Sequence, residues 1–323
     1  MIKHTTAELK QMQSLPLDAK IAMTKLRIRE WYNNYDGQVY VSFSGGKDST
    51  VLKHIVDSMY LAVPSVFCDT GLEYPEIRRF VQDVKDDTWD CYNSDVLIIR
   101  PEMRFDQVIR EYGYPFPTKA VAEKVCDAKR GCQYTAKYFN GTATNRLGKP
   151  SQYNCQKWKY LIDAPFKISR ECCDVMKKKP FKVYERESGR KPIIGTLACE
   201  SMMRSNSWLE HGCNAFEGKC PKSQPLSFWT EQDILNYIKS FNVPYCSIYR
   251  EIKEDDKGRL ITTGRDRTGC MFCMFGVHLE KEPNRFQQMQ LSHPKQYAYC
   301  MDKLGLREVL EYVGVPYECK KEE

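Results

Sequence analysis

The chain has 323 residues, 42% of them hydrophobic and 28% charged, with a formal net charge of +7. That balance excludes a disordered or fibrous chain, and the length allows one large domain with a smaller one appended. No run of about 18 apolar residues occurs and no apolar core follows Met1-Ile2-Lys3-His4, so the expectation is an intracellular, cytoplasmic protein with no membrane partner.

Fifteen cysteines form an odd and large set, which a closed disulfide framework explains poorly, so some of these thiols are expected to bind metal. The charge is uneven. From Lys119 to Lys191 there are 18 Lys and Arg against 7 Asp and Glu, a local excess of 11. An anionic substrate, a nucleic acid or a solvated surface would each account for it.

Residues 1–36 read as helical, starting again near Pro16-Leu17-Asp18, with Leu17, Ile21, Leu26, Ile28 and Trp31 as an apolar stripe for packing. Val39-Tyr40-Val41-Ser42 then predicts a strand, Phe43-Ser44-Gly45-Gly46 a turn, and Lys47-Asp48-Ser49-Thr50 opens a helix carried on by Val51, Leu52, Ile55, Val56 and Met59. Backbone N–H groups at a helix N-terminus bind anions, and side chains larger than a hydroxymethyl would hold a phosphate away. Gly45 and Gly46 allow that approach, Ser44 and Ser49 add hydroxyls, and Lys47 adds charge. No GxxxxGK[ST] loop can be aligned, because Lys47 follows two adjacent glycines and precedes Asp48.

Ser44-Gly45-Gly46-Lys47-Asp48-Ser49-Thr50 instead resembles the PP-loop of the adenine-nucleotide alpha hydrolase superfamily, which includes ATP pyrophosphatases, ATP sulfurylase small subunits and phosphoadenosine phosphosulfate (PAPS) reductases. The resemblance implies a doubly wound α/β fold with a mainly parallel sheet, here with helical N- and C-terminal additions. It also implies an adenine nucleotide bound by Ser42, Ser44, Gly45, Gly46, Lys47, Asp48, Ser49 and Thr50. Pro64 to Cys68 predicts a second buried strand. Asp69 and Thr70 at its carboxyl end are placed to meet the nucleotide or its magnesium, and Asp69-Thr70-Gly71 with Glu73-Tyr74-Pro75-Glu76 resembles a second block of the same family.

Val96 to Ile99 predicts a third strand and Phe105 to Tyr112 a helix. Glu111 to Lys119 resembles the segment that lines the family's nucleotide site, with Lys119 the residue carried over. Residues 129–159 are basic and hold Tyr134, Tyr138, Phe139, Tyr153 and Trp158. Aromatics between cations suit a single-stranded nucleic acid groove, or an insertion whose rings pack on the sheet. No nucleic-acid-binding fold signature accompanies them. Lys191 to Leu197 predicts another strand. Glu200-Ser201-Met202-Met203-Arg204 resembles the Glu-Ser-x-x-Arg element whose Arg meets the nucleotide phosphates, although the Arg that usually precedes it is replaced around Leu197-Ala198. Pro225 to Asp233 introduces a helix with Thr230 as N-cap and Asp233 at the capping-box position, in a pattern typical of PAPS reductases. Residues 252–265 read as a loop, and helices close the chain from Pro283 to about Val313.

Cys270-x-x-Cys273 alone suits structural zinc, a redox pair or neither. With Cys172-Cys173 it makes four thiols on two segments, chemically suited to a 4Fe-4S cluster or to tetrahedral zinc. The set resembles that of iron-sulfur APS reductases, which implies the cluster; Cys213 and Cys220 with Cys270 and Cys273 form a competing zinc set. The expected division is residues 1–36 as a helical segment, 37–250 as the nucleotide domain with a basic insertion at about 125–165, and 251–323 as a cysteine-containing helical region.

Three functions follow. The first is ATP-dependent adenylation of an acceptor for sulfur transfer, with Lys47 and Asp48 catalytic, a nucleic acid acceptor and a cysteine desulfurase as sulfur partner. The intact Lys47-Asp48 pair favours it, since sulfonucleotide reductases often lack that pair. The second is reduction of APS or PAPS to sulfite with thioredoxin, for which Cys319 in Glu318-Cys319-Lys320-Lys321 would be the nucleophile, although the family's Gly and His around it are missing. The third is a non-catalytic nucleotide and redox-sensing module.

Overall fold

A computed structural model describes residues 4–218 and 220–319. Met1-Ile2-Lys3 and the Lys320-Lys321 end of the Glu318-Cys319 stretch lie outside the described residues. In chain order the elements are helices α1 (Thr6–Gln13) and α2 (Leu17–Asn34), strand β1 (Val39–Ser42), α3 (Lys47–Asp57), β2 (Ser65–Cys68), α4 (Pro75–Lys85) and β3 (Val96–Ile99). Then follow α5 (Phe105–Glu111), α6 (Lys119–Lys129), α7 (Gln133–Asn140), α8 (Lys179–Ser188), β4 (Lys191–Ile194), α9 (Met202–His211), β5 (Asn214–Ala215) and β6 (Lys222–Ser223). The last are α10 (Glu231–Ser240), β7 (Ile252–Glu254), β8 (Leu260–Thr262), α11 (Arg285–Ser292), α12 (Pro294–Ala298) and α13 (Leu306–Tyr312). Among the described residues no helix is long and apolar enough to cross a membrane.

These elements form two compact units. One takes the chain up to Asp69, Glu73–Arg100 and Pro180–Thr268; the other takes Thr70–Leu72, Pro101–Lys179 and Gly269–Glu323. The basic stretch, the four cysteines of the CysCys and CysxxCys pairs and the C-terminal helices all belong to the second.

The first unit is built on a six-stranded sheet in the order β3-β2-β1-β4-β6-β5, with β5 antiparallel to β6 and every other pairing parallel. Val41 lies opposite Ser65 and Ile193, and Ser42 opposite Val66 and Ile194. Val39, Tyr40, Val41, Val66 and Ile193 are buried, as expected for strands covered on both faces. From β1 the chain moves outward through β2 and β3 and then returns to the other side of β1 as β4. The carboxyl end of β1 is therefore a topological switch point, the place where open α/β sheets bind ligands.

The N-terminal helix does more than pack. Ile28 and Trp31 of α2 are fully buried, as the apolar stripe predicts, whereas Leu26 of that stripe is exposed. Lys20 is also fully buried; its ammonium pairs with Asp233 at 2.6 Å and donates to the Gln13 carbonyl at 2.7 Å. Asp233 also closes the capping box with Thr230, and buried Trp229 donates its indole N–H to Thr24 Oγ1 at 2.9 Å. The Pro225–Asp233 stretch is thus fastened to α2 by polar groups as well as apolar ones. Residues 252–265, expected as a loop, instead hold the β7–β8 hairpin: Asp255 Oδ1 accepts the N–H groups of Lys257 and Arg259, both at 2.9 Å, and Gly258 takes φ +72 at the turn.

The second unit is mainly helical. Gly113, at φ +105, lies so close to Lys167 that a Cβ would come within 2.3 Å of its backbone carbon. The missing side chain lets Tyr114 exchange hydrogen bonds with Lys167 and Ser169, at 2.9 and 3.1 Å, which fixes the path of the chain into Cys172. The tail is pinned by Gln287 and Tyr297, which donate to the carbonyls of Glu318 and Tyr317.

Removing one partner of a buried ion pair leaves an uncompensated charge. Lys20→Ala should therefore lower the unfolding free energy by about 3 kcal/mol or more, measured by urea denaturation; a loss below about 1 kcal/mol would show that Asp233 does not depend on Lys20.

Candidate functional site

The loop after β1 is shaped by what its glycines omit. Gly45 sits at φ +70, with Ile77 and Val81 of α4 each 3.0 Å from where a Cβ would be. Gly46 is the N-cap of α3 and brings no side-chain cap to the helix N-terminus. A Cβ there would lie 3.2 Å from Thr268 Oγ1 and 3.3 Å from both Ser44 Oγ and Tyr249 OH, so three hydroxyls line the space it leaves. Ser49 Oγ accepts the Ser44 N–H at 3.1 Å, donates to the Gly46 carbonyl at 2.9 Å and lies 2.9 Å from Ser44 Oγ. Tyr249 OH accepts the Lys47 N–H at 3.1 Å and lies 2.7 Å from Thr268 Oγ1. Helix N-terminus and hydroxyls together make an anion cradle. Ser42 ends β1 beneath it, and Thr50 is fully buried in α3 with its Oγ1 unpartnered.

Lys47 is buried, and its ammonium is held by Glu231 at 3.0 Å and by the Asp266 carbonyl at 2.7 Å. Asp48 has a buried Oδ1 with no hydrogen-bond partner, and burial raises its carboxyl above the usual range, with Lys47 opposing and Glu231 adding to the rise. Arg204 and Arg267 also act on Asp48 and both pair with Glu200; burial lowers the Arg204 guanidinium. Cys199 shares this field, its thiol raised by burial and acted on by Asp48, Glu231 and Arg267. Asp69, at the end of β2, is engaged by Arg78 at 2.9 Å and Arg100 at 3.6 Å.

The structure thus gathers Ser44, Gly45, Gly46, Lys47, Asp48 and Ser49 in one loop, with Arg204 acting on Asp48, and adds Glu231, Tyr249, Asp266 and Thr268, which the motifs alone did not single out. Glu231 occupies an unspecified position between Thr230 and Asp233, and Tyr249 follows a short turn with no local signature. Thr70 and Lys119 belong to the helical unit. Thr70 Oγ1 accepts the Leu72 N–H at 3.2 Å, and Lys119 is the exposed first residue of α6.

In the helical unit Cys172 has Cys173, Cys270 and Cys273 as its electrostatic neighbours, and burial pushes its thiol well up. Burial also raises the Cys273 thiol, opposed by Arg285 and Lys177. Among the described residues no three His, Cys, Asp or Glu side chains are gathered closely enough to hold a single metal ion. Cys213, of the competing zinc set, is buried in the sheet unit, where its sulfur accepts from Ser227 Oγ at 3.5 Å. Cys319 donates its S–H to the Gln287 carbonyl at 3.4 Å and its N–H to Gln290 at 2.8 Å.

A mainly parallel sheet whose order reverses at β1, with a two-glycine loop and a buried lysine at that reversal, defines an α/β protein with a loop at its topological switch point. The chain belongs to the phosphoadenosine phosphosulfate reductase family, whose domain model matches residues 38–133 and 126–274. It is similar to the uncharacterized proteins MJ0066 and MJ0973 of Methanocaldococcus jannaschii, each 23% identical, over 76% and 78% of this chain and 38% and 46% of theirs. The chain thus spans less than half the length of these curated relatives.

Similar solved structures include the PAPS reductase of Candida auris in a phosphate complex, with TM-score 0.42 and 15% identity over 80% of this chain and 98% of that one. The U34-tRNA thiolase NcsA of Methanococcus maripaludis with its [4Fe-4S] cluster has TM-score 0.35 and 14% identity over 95% and 84%. The FMN adenylyltransferase of Candida glabrata has TM-score 0.40 and 14% identity over 75% and 64%.

Gly46 has φ −77, which any residue adopts, so Gly46→Ala should fold normally while its methyl fills the cradle. Calorimetry with inorganic pyrophosphate should show affinity at least roughly tenfold weaker. Glu231 occupies the ammonium that an incoming anion needs, so Glu231→Gln should bind pyrophosphate roughly three- to tenfold more tightly. Weaker binding would mean that Glu231 assists the anion rather than competing with it.

Proposed function

We propose that this chain binds ATP at the Ser44–Ser49 loop and adenylates an acceptor, which then takes sulfur, with a 4Fe-4S cluster on Cys172, Cys173, Cys270 and Cys273. The observation that carries this reading is the buried ammonium of Lys47 beside the hydroxyl-lined space at Gly46. An acceptor oxygen attacks the α-phosphorus, the bond to the bridging oxygen breaks, and pyrophosphate leaves with that electron pair. Lys47 and the N-terminal amides of α3 stabilise the charge that gathers on it. Displacement of AMP by a sulfur nucleophile completes the transfer.

The unpartnered Oδ1 of Asp48 fits a magnesium ligand, whereas Asp69 already has two arginine partners; magnesium would neutralise phosphate charge there. Cys173, Cys270 and Cys273 all act on Cys172, and Lys177 and Arg285 would offset thiolate charge, which supports one shared group on these thiols. An iron-sulfur cluster would supply electron storage or an iron site for sulfur. A reducing, cytoplasmic setting belongs to the same proposal, because the ligands must stay reduced. So do a nucleic acid acceptor and a cysteine desulfurase as sulfur partner.

A second reading, reduction of APS or PAPS with thioredoxin, is supported by the family and by Arg204 lying in the field of the loop. There the Cys319 thiolate would attack the sulfur of the nucleotide's sulfate group, releasing AMP or PAP, and thioredoxin would free sulfite.

Anaerobically purified, cluster-loaded protein should release pyrophosphate from ATP and no sulfite from APS or PAPS, and Lys47→Ala should lower that release roughly 100-fold or more. Catalytic sulfite release lost in Cys319→Ser would replace the first reading with the second. Cys172→Ser should lose the iron and acid-labile sulfide, and full iron content would remove Cys172 from the ligand set.

A further inference from the structure

The basic, aromatic stretch is sorted by the fold into an inside and an outside. Phe139 is buried beneath α7, and Trp158 packs edge-on against Phe116 and His278, with ring centroids 5.4 and 4.9 Å away. Tyr134 and Tyr153 are not in the core: they are 65% and 62% exposed. Tyr134 and Tyr138, four residues apart on α7, share one helix face, with rings 5.7 Å apart and hydroxyls at 3.1 Å. Lys124 of α6 places its ammonium 4.8 Å from the Tyr138 ring centre and 5.9 Å from that of Tyr153.

The backbone beneath is pinned. Cys155 N–H donates to the Tyr138 carbonyl at 2.9 Å, and the Asn154 amide donates to Gly141 and Ala143, both at 3.2 Å. Tyr138 and Tyr153, from two segments, are thereby held around one cation, with Tyr134 beside Tyr138. Lys137, Lys149 and Lys157 are exposed in the same stretch and enter no ion pair among the described residues. Between residues 119 and 167 there are ten Lys and Arg against three Asp and Glu.

We infer that the face made by Lys124, Tyr134, Tyr138 and Tyr153 binds single-stranded nucleic acid, with bases stacked on the exposed tyrosines and phosphates drawn by the surrounding cations. Rings with open faces take any unpaired base, whereas a duplex hides its bases from them. A merely solvated basic surface would have no need to hold two large tyrosines in water. This inference rests on the acceptor part of the proposed function and deepens it by giving that acceptor a place to dock.

The test is fluorescence anisotropy with labelled oligouridine and oligothymidine of about 12 nucleotides, and with a duplex of equal length, at two salt concentrations. Both readouts are taken on each protein sample, with pyrophosphate binding at the loop as the second. The expected result is single strands bound more tightly than duplex, and roughly tenfold or more weakened by the double change Tyr134→Ala and Tyr153→Ala. The corresponding Phe variants should bind like the unaltered protein, because stacking needs the ring and not the hydroxyl. Lys124→Gln should reduce the salt dependence by about one phosphate contact. Preference between the two oligonucleotides identifies RNA or DNA as the source. No binding, duplex bound as tightly as single strand, or single-strand binding unchanged by the tyrosine substitutions overturns the inference. If the loop still binds pyrophosphate in those cases, the nucleotide reading stands without this face. Oligonucleotide binding in a protein that takes up neither pyrophosphate nor ATP supports the face and removes the nucleotide reading.

Discussion

The constraint on which the loop depends is that a buried ammonium has to be held at the N-terminus of α3. A buried ammonium without a partner would cost several kcal/mol, yet Lys47 has to stay beside the N-terminus of α3. Glu231 and the Asp266 carbonyl resolve this by holding the ammonium in place. Glu231 is there because α10 is there. Its start is set by the Thr230 and Asp233 capping box, and Asp233 and Trp229 are fastened to Lys20 and Thr24 of α2. Its body is tied to α3 by His54 and Tyr237, 2.9 Å apart. Helix α2 is thus linked, through the start of α10, to the residue that holds the Lys47 ammonium.

Local pattern carried much of this. The strand, glycine turn and helix of the loop, the buried second strand, the third strand and the capped start of α10 all follow from spacing and turn chemistry, and the structure has each of them. What local pattern does not carry is which distant side chains close the cradle. Tyr249 and Thr268 reach the loop from about 200 residues away in sequence, and neither sits in a motif that would say so. The β7–β8 hairpin is different, because its signal was present. Asp255 and Gly258 are turn formers, and the short strands flanking them were outweighed by the polarity of the stretch.

The aromatics of the basic segment show the same division. Thr135 and Phe139, four apart on α7, are buried, while of Tyr134 and Tyr138, also four apart, the first is exposed and the second half-buried. The helical period separates the two sets once the helix is known to span Gln133–Asn140. Trp158 had no such period to sort it, and only its neighbours Phe116 and His278 place it among packed rings. The four cysteines are a third case. The family resemblance grouped them, but the burial that pushes the Cys172 thiol up emerges only from the fold.

The interleaving of the two units limits how this protein can be divided. The chain leaves the sheet unit for the three residues Thr70–Leu72, returns, leaves again for Pro101–Lys179 and departs a last time at Gly269. Neither unit is one continuous stretch of polypeptide, so no single cleavage or gene boundary separates them. A nick anywhere between residues 101 and 179 leaves both fragments holding parts of each unit. Cys172-Cys173 and Cys270-x-x-Cys273 are carried on two of those excursions, so the two pairs lie on separate stretches of one discontinuous unit.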